Sequence, residues 1–349
     1  MKQLPIWMPV ILLVLFFLLL SFSKKAGVIP FVIPKNWPQP AYDFSKKPVT
    51  ENGFLLGNRL FYDPILSKDS TVSCASCHLS YTAFTHIDHR VSHGIYGRQG
   101  TRNSISLVNL AWKKSLMWDG AIQNLELQPL LPISHPSEMD NTMDDVVQKL
   151  GSSGKYRSAF FQTFGDSMIT ADRVLRALTQ FTVMLVSYNA KYDSIMRKEP
   201  NAVFLPAEEN GYRLFKIHCA ACHTEPLFTN EAYENNGLPV DTALMDWGRL
   251  KITGDPADSL RFKVPALRNI QFSAPYFHDG RFNKLSEVID HYTSGIIYST
   301  TLAKDLRQNI SLSKTEKKDL IAFLKTLTDQ SFIYNRAFQF DFPDLYNQR

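Results

Sequence analysis

The chain has 349 residues and a mass of 39.8 kDa, long enough for two domains that each bury a core. A hydrophobic share of 44% suits a globular protein. The formal charge is +5, but Lys2, Lys24 and Lys25 belong to the first 25 residues, and 38 basic residues less these three leave 35 against 33 acidic ones, a balance that excludes a nucleic-acid-binding surface.

Residues 1–25 read MKQLPIWMPVILLVLFFLLLSFSKK. A lysine precedes an apolar run from Ile6 to Phe22, the plan of an export signal and just enough to span a membrane. No small-x-small cleavage site follows, which favours an uncleaved anchor. Residues 26–48 carry prolines at 30, 34, 38, 40 and 48 and are predicted to form an extended tether. Beyond it the patterns are helical. Thr170 is placed to cap a helix with Val174, Leu175, Leu178, Phe181 and Leu185 on one face. Ser313 and Glu316 spell a capping box ahead of Leu320, Ile321, Leu324 and Leu327. Strand alternation is scarce, so the expected class is mainly α.

All four cysteines fall in two pentapeptides, CASCH at 74–78 and CAACH at 219–223. A disulfide framework, a redox pair or half a zinc site would each account for C-x-x-C, but none explains a histidine after both second cysteines. Covalent haem attachment does. Two thiols add across the porphyrin vinyl groups, and the adjacent histidine becomes the proximal iron ligand. The cofactor-binding set is therefore Cys74, Cys77 and His78, then Cys219, Cys222 and His223. The four propionates of two haems further weaken any nucleic-acid case. An internal repeat supports two related units: GNRLF at 57–61 and GYRLF at 211–215 each overlap or follow a Glu-Asn-Gly triplet and precede a haem motif. Each looks like the entry helix of a cytochrome c fold.

The chain from about residue 49 to residue 330 resembles the bacterial di-haem cytochrome c peroxidase family, including its MauG-like branch. The resemblance rests on CASCH, GTRNSISLVN at 100–109, MWDGAIQNLELQPLLPISHPSEM at 117–139, CAACH and FKVPALRNIQFSAPYFHDG at 262–280. It implies two cytochrome c-like haem domains in tandem: a peroxidatic one over 49–198 and an electron-accepting one, with a C-terminal tail, over 199–349. It also implies reduction of hydrogen peroxide to water with electrons from a small cytochrome c or cupredoxin. An oxidation of aromatic side chains in a partner protein is the branch's alternative, and a plain electron-transfer cytochrome is a third reading. Glu138 and Gln128 count against the third, since a closed haem needs no acid–base pocket. The location implied is periplasmic, with the N-terminal segment as a hold on the membrane; monomer and homodimer both stay open.

By the same resemblance, Glu138 and Gln128 line the peroxide pocket and Trp118 lies between the haems. A carboxylate there suits O–O cleavage, which needs a proton taken from one peroxide oxygen and delivered to the other. Asn103 and the carbonyls of Ser273 and Pro275 match the family's calcium site, an oxygen donor set that suits this ion. Opposite His78 the candidates are His86, His89 and His93; His93 lies nearest the family's distal position, with a spacing to Asn103 about two residues longer. Opposite His223 most members place methionine, but here only Met245 follows that histidine. The aligned residue in DHYTSG is Tyr292, the MauG-like pattern; a phenolate ligand lowers the iron potential. His291 and Met245 are its rivals.

Overall fold

The computed structural model describes residues 27–340, and the expected export segment and anchor lie outside them. Among the described residues no helix is long and apolar enough to cross a membrane. Helices dominate: α1 (Glu51–Tyr62), α2 (Leu130–Ser134), α3 (Met143–Ser152), α4 (Gly154–Phe164), α5 (Ala171–Thr182), α6 (Lys191–Met196), α7 (Pro206–His218), α8 (Leu250–Thr253), α9 (Leu285–Asp290), α10 (Lys314–Lys325) and α11 (Gln330–Ile333). The strands β1 (Tyr233–Glu234) and β2 (Phe262–Lys263) form one short antiparallel ladder, Tyr233 facing Lys263. Long linking segments turn through short 3-10 helices.

The predicted caps form as read. Thr170 accepts from the Arg173 amide at 3.3 Å, and the Ser313 hydroxyl and Glu316 carboxylate exchange bonds with each other's amides. Val174, Leu175, Leu178 and Phe181 are buried on α5, while Leu185 is buried beyond the helix end. Each such side chain contributes roughly 1.5–3 kcal/mol on burial.

The repeat GNRLF/GYRLF has a packing cause. α1 crosses α5 at Gly57, and α7 crosses α10 at Gly211. A Cβ on Gly57 would sit 1.9 Å from the Ala177 carbonyl oxygen; one on Gly211 would sit 2.0 Å from that of Asp319. Only glycine lets the two backbones approach so closely. One turn on, Phe61 meets Phe181 at 5.1 Å and Phe215 meets Phe323 at 5.0 Å between ring centres. The same joint is built twice.

Two cores follow. The first gathers Leu60, Phe61, Phe84, Ile133, Phe160 and Phe181, and α11 closes it with Phe332 and Ile333. The second gathers Tyr192, Phe215, Phe228, Ile289, Phe323 and Leu327. The proline-rich segment turns at 35–36 and 44–46, with Asn36 at φ 68°, and lies on the body. Phe31 and Trp37 pack on Trp112, whose indole donates to the Pro38 carbonyl at 2.8 Å.

A second internal correspondence joins the cores. Residues 103–122 and 263–282 share a turn plan: Asn109 and Asn269 are both left-handed at φ 60°, each opens a 3-10 turn, and Met117 and Phe277 both have φ 69°. The bridges Leu116–Ile122 and Tyr276–Phe282 match in turn. Trp118 and His278 are counterparts, as are Asn103 and Lys263. At the seam the two segments clasp: the Asn103 amide donates to the His278 carbonyl and the Lys263 amide to the Trp118 carbonyl, both at 2.7 Å.

Candidate active site: two haem-attachment motifs and their surroundings

Each motif sits on a tight turn that its own backbone closes. In the first, the Cys77 and His78 amides both donate to the Cys74 carbonyl; in the second, the Cys222 and His223 amides donate to that of Cys219. The four thiols are free. Burial pushes Cys74 and Cys219 up to about 12, and Cys77 and Cys222 up to about 11. Sulfurs in such surroundings suit thioethers, which carry no charge.

Both histidines are prepared as iron ligands. The His78 Nδ1 lies 2.8 Å from the Phe84 carbonyl oxygen, and the His223 Nδ1 lies 3.2 Å from that of Phe228 and 3.1 Å from that of Pro265. A carbonyl only accepts, so the proton is on Nδ1 and the Nε2 lone pair is left for a metal. Burial holds both rings neutral, His78 down at about 4.

The second motif opens into a cavity of about 240 Å³. Cys219, Cys222, His223 and Tyr292 all line it, with an apolar wall that includes Leu285, Ile289 and Leu324. A hydrophobic hollow with two thiols and a ring nitrogen on its edge fits a haem. Tyr292 stands on a π-turn, His291–Gly295, that continues α9, a local widening common at functional sites. Its phenol is pushed up by burial, with an Asn236 side-chain hydrogen bond working the other way. The rivals are turned away. The His291 Nε2 meets the Asn236 carbonyl at 3.0 Å, and Met245 is exposed.

Trp118, Asn103, Ser273 and Pro275 border the same cavity on its other flank. The Trp118 indole donates to the Asn103 carbonyl at 2.8 Å, and its ring meets that of His278 edge-on at 6.5 Å. His278 stacks on Phe262 at 3.6 Å, and burial lowers it to about 4. Arg102 ties the seam by pairing with Asp119 of the first segment and with Asp246, which precedes the second.

Around the first motif the structure brings Glu138 into electrostatic range of both Cys74 and Cys77. Its carboxyl is raised by burial, which outweighs the opposing field of His135. Gln128 is half-buried, where the turn Leu125–Leu127 passes into α2. The His93 carbonyl lies 3.5 Å from the Cys77 sulfur, and the His93 ring packs on His89 at 4.2 Å, which stacks on His86 at 5.0 Å. The rings pile up side by side, and among the described residues no three His, Cys, Asp or Glu side chains surround one point.

Sequence reasoning passed over three residues that shape these sites. Gly94 touches the Glu138 loop so closely that a Cβ would lie 2.3 Å from the carbonyl oxygens of Ser137 and Glu138, and the next amide, Ile95, donates to the Glu138 carbonyl at 2.8 Å. Its signal was a glycine directly after a candidate ligand. Arg102 and His278 lay inside the quoted motifs without an assigned role; their signal was the second internal repeat.

The comparisons with known proteins agree with this geometry. The family model for di-haem cytochrome c peroxidase matches residues 51–201. The methylamine utilization protein MauG of Methylorubrum extorquens is 34% identical over 300 residues, covering 84% of this chain and 82% of that protein. The cytochrome c551 peroxidase of Nitrosomonas europaea is 36% identical over 277 residues, covering 78% and 79%. Among solved structures, a MauG-like protein associated with microbial copper homeostasis superposes with a TM-score of 0.79 at 32% identity, covering 89% of this chain and 99% of that one. This chain therefore belongs to the di-haem cytochrome c peroxidase family, whose members are oxidoreductases carrying two c-type haems.

Proposed function

We propose that the chain is a periplasmic peroxidase of two tandem cytochrome c-like domains, 49–198 and 199–349, that reduces hydrogen peroxide to water. One haem is held by Cys74, Cys77 and His78, the other by Cys219, Cys222 and His223. A small cytochrome c or cupredoxin supplies electrons through the second domain. The observation that carries the reading is Glu138, a half-buried carboxyl of raised proton affinity within electrostatic range of the first motif. Haem iron, when bound, supplies the Lewis-acid centre and the electrons that O–O cleavage needs.

The protein residues manage protons and position. Glu138, held by Gly94 and Ile95, takes the proton from one oxygen of hydrogen peroxide and returns it to the departing oxygen, which leaves as water. Gln128 would orient the peroxide by hydrogen bonding, Trp118 would carry electrons across the seam, and His93 would serve as a further ligand to the first haem. Replacing Glu138 by glutamine keeps shape and removes the proton relay. Turnover should fall about 10²-fold or more with both haem spectra intact; unchanged turnover would return Glu138 to the ordinary acids.

Asn103 with the carbonyls of Ser273 and Pro275 is proposed to hold one calcium ion at the seam. The internal correspondence supports this, because the counterparts of the three are Lys263, Lys113 and Ser115. There the Lys263 ammonium donates to the Ser115 hydroxyl at 2.5 Å, so a cation already occupies the equivalent place. With no carboxylate in the set, the affinity should be modest.

A second reading has its own observation. Tyr292 in the second cavity, where a methionine would raise the potential, favours a MauG-like oxidation of aromatic side chains in a partner protein, as relatives of that name suggest. A resting-state EPR spectrum, counting high- and low-spin ferric haems, tests both the Tyr292 ligation and the role of His93.

A further inference from the structure

We propose that Tyr192 and Tyr212, hydrogen-bonded to the single carboxylate of Glu225, form a proton-coupled oxidation site that carries an oxidising equivalent from the second haem towards the protein surface. The inference rests on the peroxidase reading for its oxidant.

The path is built from contacts. The His223 ring donates to the Phe228 carbonyl at 3.2 Å. The Phe228 ring meets Tyr192 edge-on at 4.8 Å, and Tyr192 meets Tyr212 at 6.2 Å. Tyr192 is buried, whereas Tyr212 is half-buried with exposed Lys216 beside it. Both phenols donate to one oxygen, Oε1 of Glu225, Tyr212 at 2.9 Å, and Lys216 donates to Oε2 at 2.6 Å.

Proton acceptors separate this pair from the other aromatic groups near the haem motifs. Oxidising a phenol at accessible potential requires its proton to leave together with the electron, and a hydrogen-bonded carboxylate receives it in place. Trp118 and Tyr62 donate instead to backbone carbonyls, which cannot hold a proton. Trp37 lies 4.5 Å under the Arg268 guanidinium, a cation that opposes a positive hole on the ring. The first domain repeats the histidine-to-phenylalanine step, His78 to Phe84, without a tyrosine pair on a carboxylate at its end.

The balance closes. Hydrogen peroxide takes two electrons and two protons to give two waters. When no donor is bound, solvent supplies the two protons, the haem iron supplies one electron and Tyr192 or Tyr212 the other; that tyrosine becomes a neutral phenoxyl radical and passes its own proton along the existing hydrogen bond to Glu225. A surface donor then returns an electron, and the proton goes back.

The test uses the di-haem protein without donor, mixed with hydrogen peroxide and freeze-quenched for EPR. A tyrosine radical is expected, its hyperfine pattern narrowed in protein grown on ring-deuterated tyrosine. The Tyr192→Phe/Tyr212→Phe protein should lose most of it, Glu225→Gln should lower it, and Tyr156→Phe, which removes the bond from Tyr156 to Asp63, should retain it. The same tyrosine signal in the double variant, or none in the parent protein while peroxide is consumed, overturns the proposal. If the double variant does not fold, Tyr212→Phe alone carries the comparison. If peroxide is not consumed at all, the peroxidase reading fails separately. Flash-generated ruthenium(III) tris-bipyridine then oxidises the protein directly: a radical lost with the pair supports the site, and one unaffected by its removal overturns it.

Discussion

The two haem motifs share their proximal side and differ in what else gathers around them. Below each, a glycine lets two helices cross, a phenylalanine pair locks the crossing, and a phenylalanine carbonyl fixes the histidine tautomer. Near the first lie Glu138 and a pile of histidines from a polar loop; in the cavity of the second lies Tyr292 on a widened turn. The proximal side comes from local repeats, whereas Glu138 and Tyr292 are brought in from about 60 and 70 residues down the chain. A duplicated scaffold can therefore keep one attachment plan while the residues gathered around it diverge, a carboxyl near the first motif and a phenol in the cavity of the second.

The comparison can be broken at its base. Gly57→Val and Gly211→Val each push a side chain into a backbone carbonyl and should cost about 3 kcal/mol or more in their own half. Each variant should carry one thioether haem, on the undisturbed motif, as peptide mass spectrometry would show; two full haems in both would refute the shared joint. The distal difference is sharpened next. Tyr292→Met should raise the potential of the second haem by on the order of 0.1 V and leave the first alone, within the range axial ligands span; spectroelectrochemical titration reads both.

A smaller effect is expected from pH. Burial raises the Glu138 carboxyl, so its basic form is lost as pH falls through a value above the ordinary carboxylate range. The acid limb of kcat/KM should sit correspondingly high and vanish in Glu138→Gln. The smallest change concerns the seam. Asp246 falls from 3.8 to about 2: burial raises it, but the hydrogen bond and charge of Arg102 outweigh that. The resulting stability is present above about pH 4 and lost as pH drops through about 2, worth on the order of 1–2 kcal/mol. Asp246→Asn should flatten acid unfolding over that interval while leaving the Gly57 and Gly211 joints untouched.

What could be read from the sequence was local chemistry. The cysteine spacing marks the motifs, and side-chain caps mark α5 and α10 because a hydroxyl next to free amides acts within four residues. The second repeat was harder to see. Between 103–122 and 263–282 it preserves backbone turns more than side chains, leaving Asn109/Asn269 and the Asp-Gly pairs at 119–120 and 279–280 as the visible trace. The glycine at 94 reads as a turn residue until the loop it touches, more than forty positions on, is known. Prolines between 30 and 48 point to a tether, but that this segment lies on the body depends on Phe31 and Trp37 finding Trp112. That Tyr292 lines the second cavity while the His291 ring meets the Asn236 carbonyl goes with a π-turn, which no periodicity announces.

The return of α11 to the first core bears on how the chain is assembled in time. Phe332 lies 5.9 Å from Phe84, and the Tyr62 hydroxyl donates to the Phe338 carbonyl at 2.7 Å. Domains ordinarily settle in order of synthesis, yet this earlier half stays open until residues beyond the whole later half have emerged. The thiol at position 74 thus packs against a core whose last wall arrives from the far end of the chain.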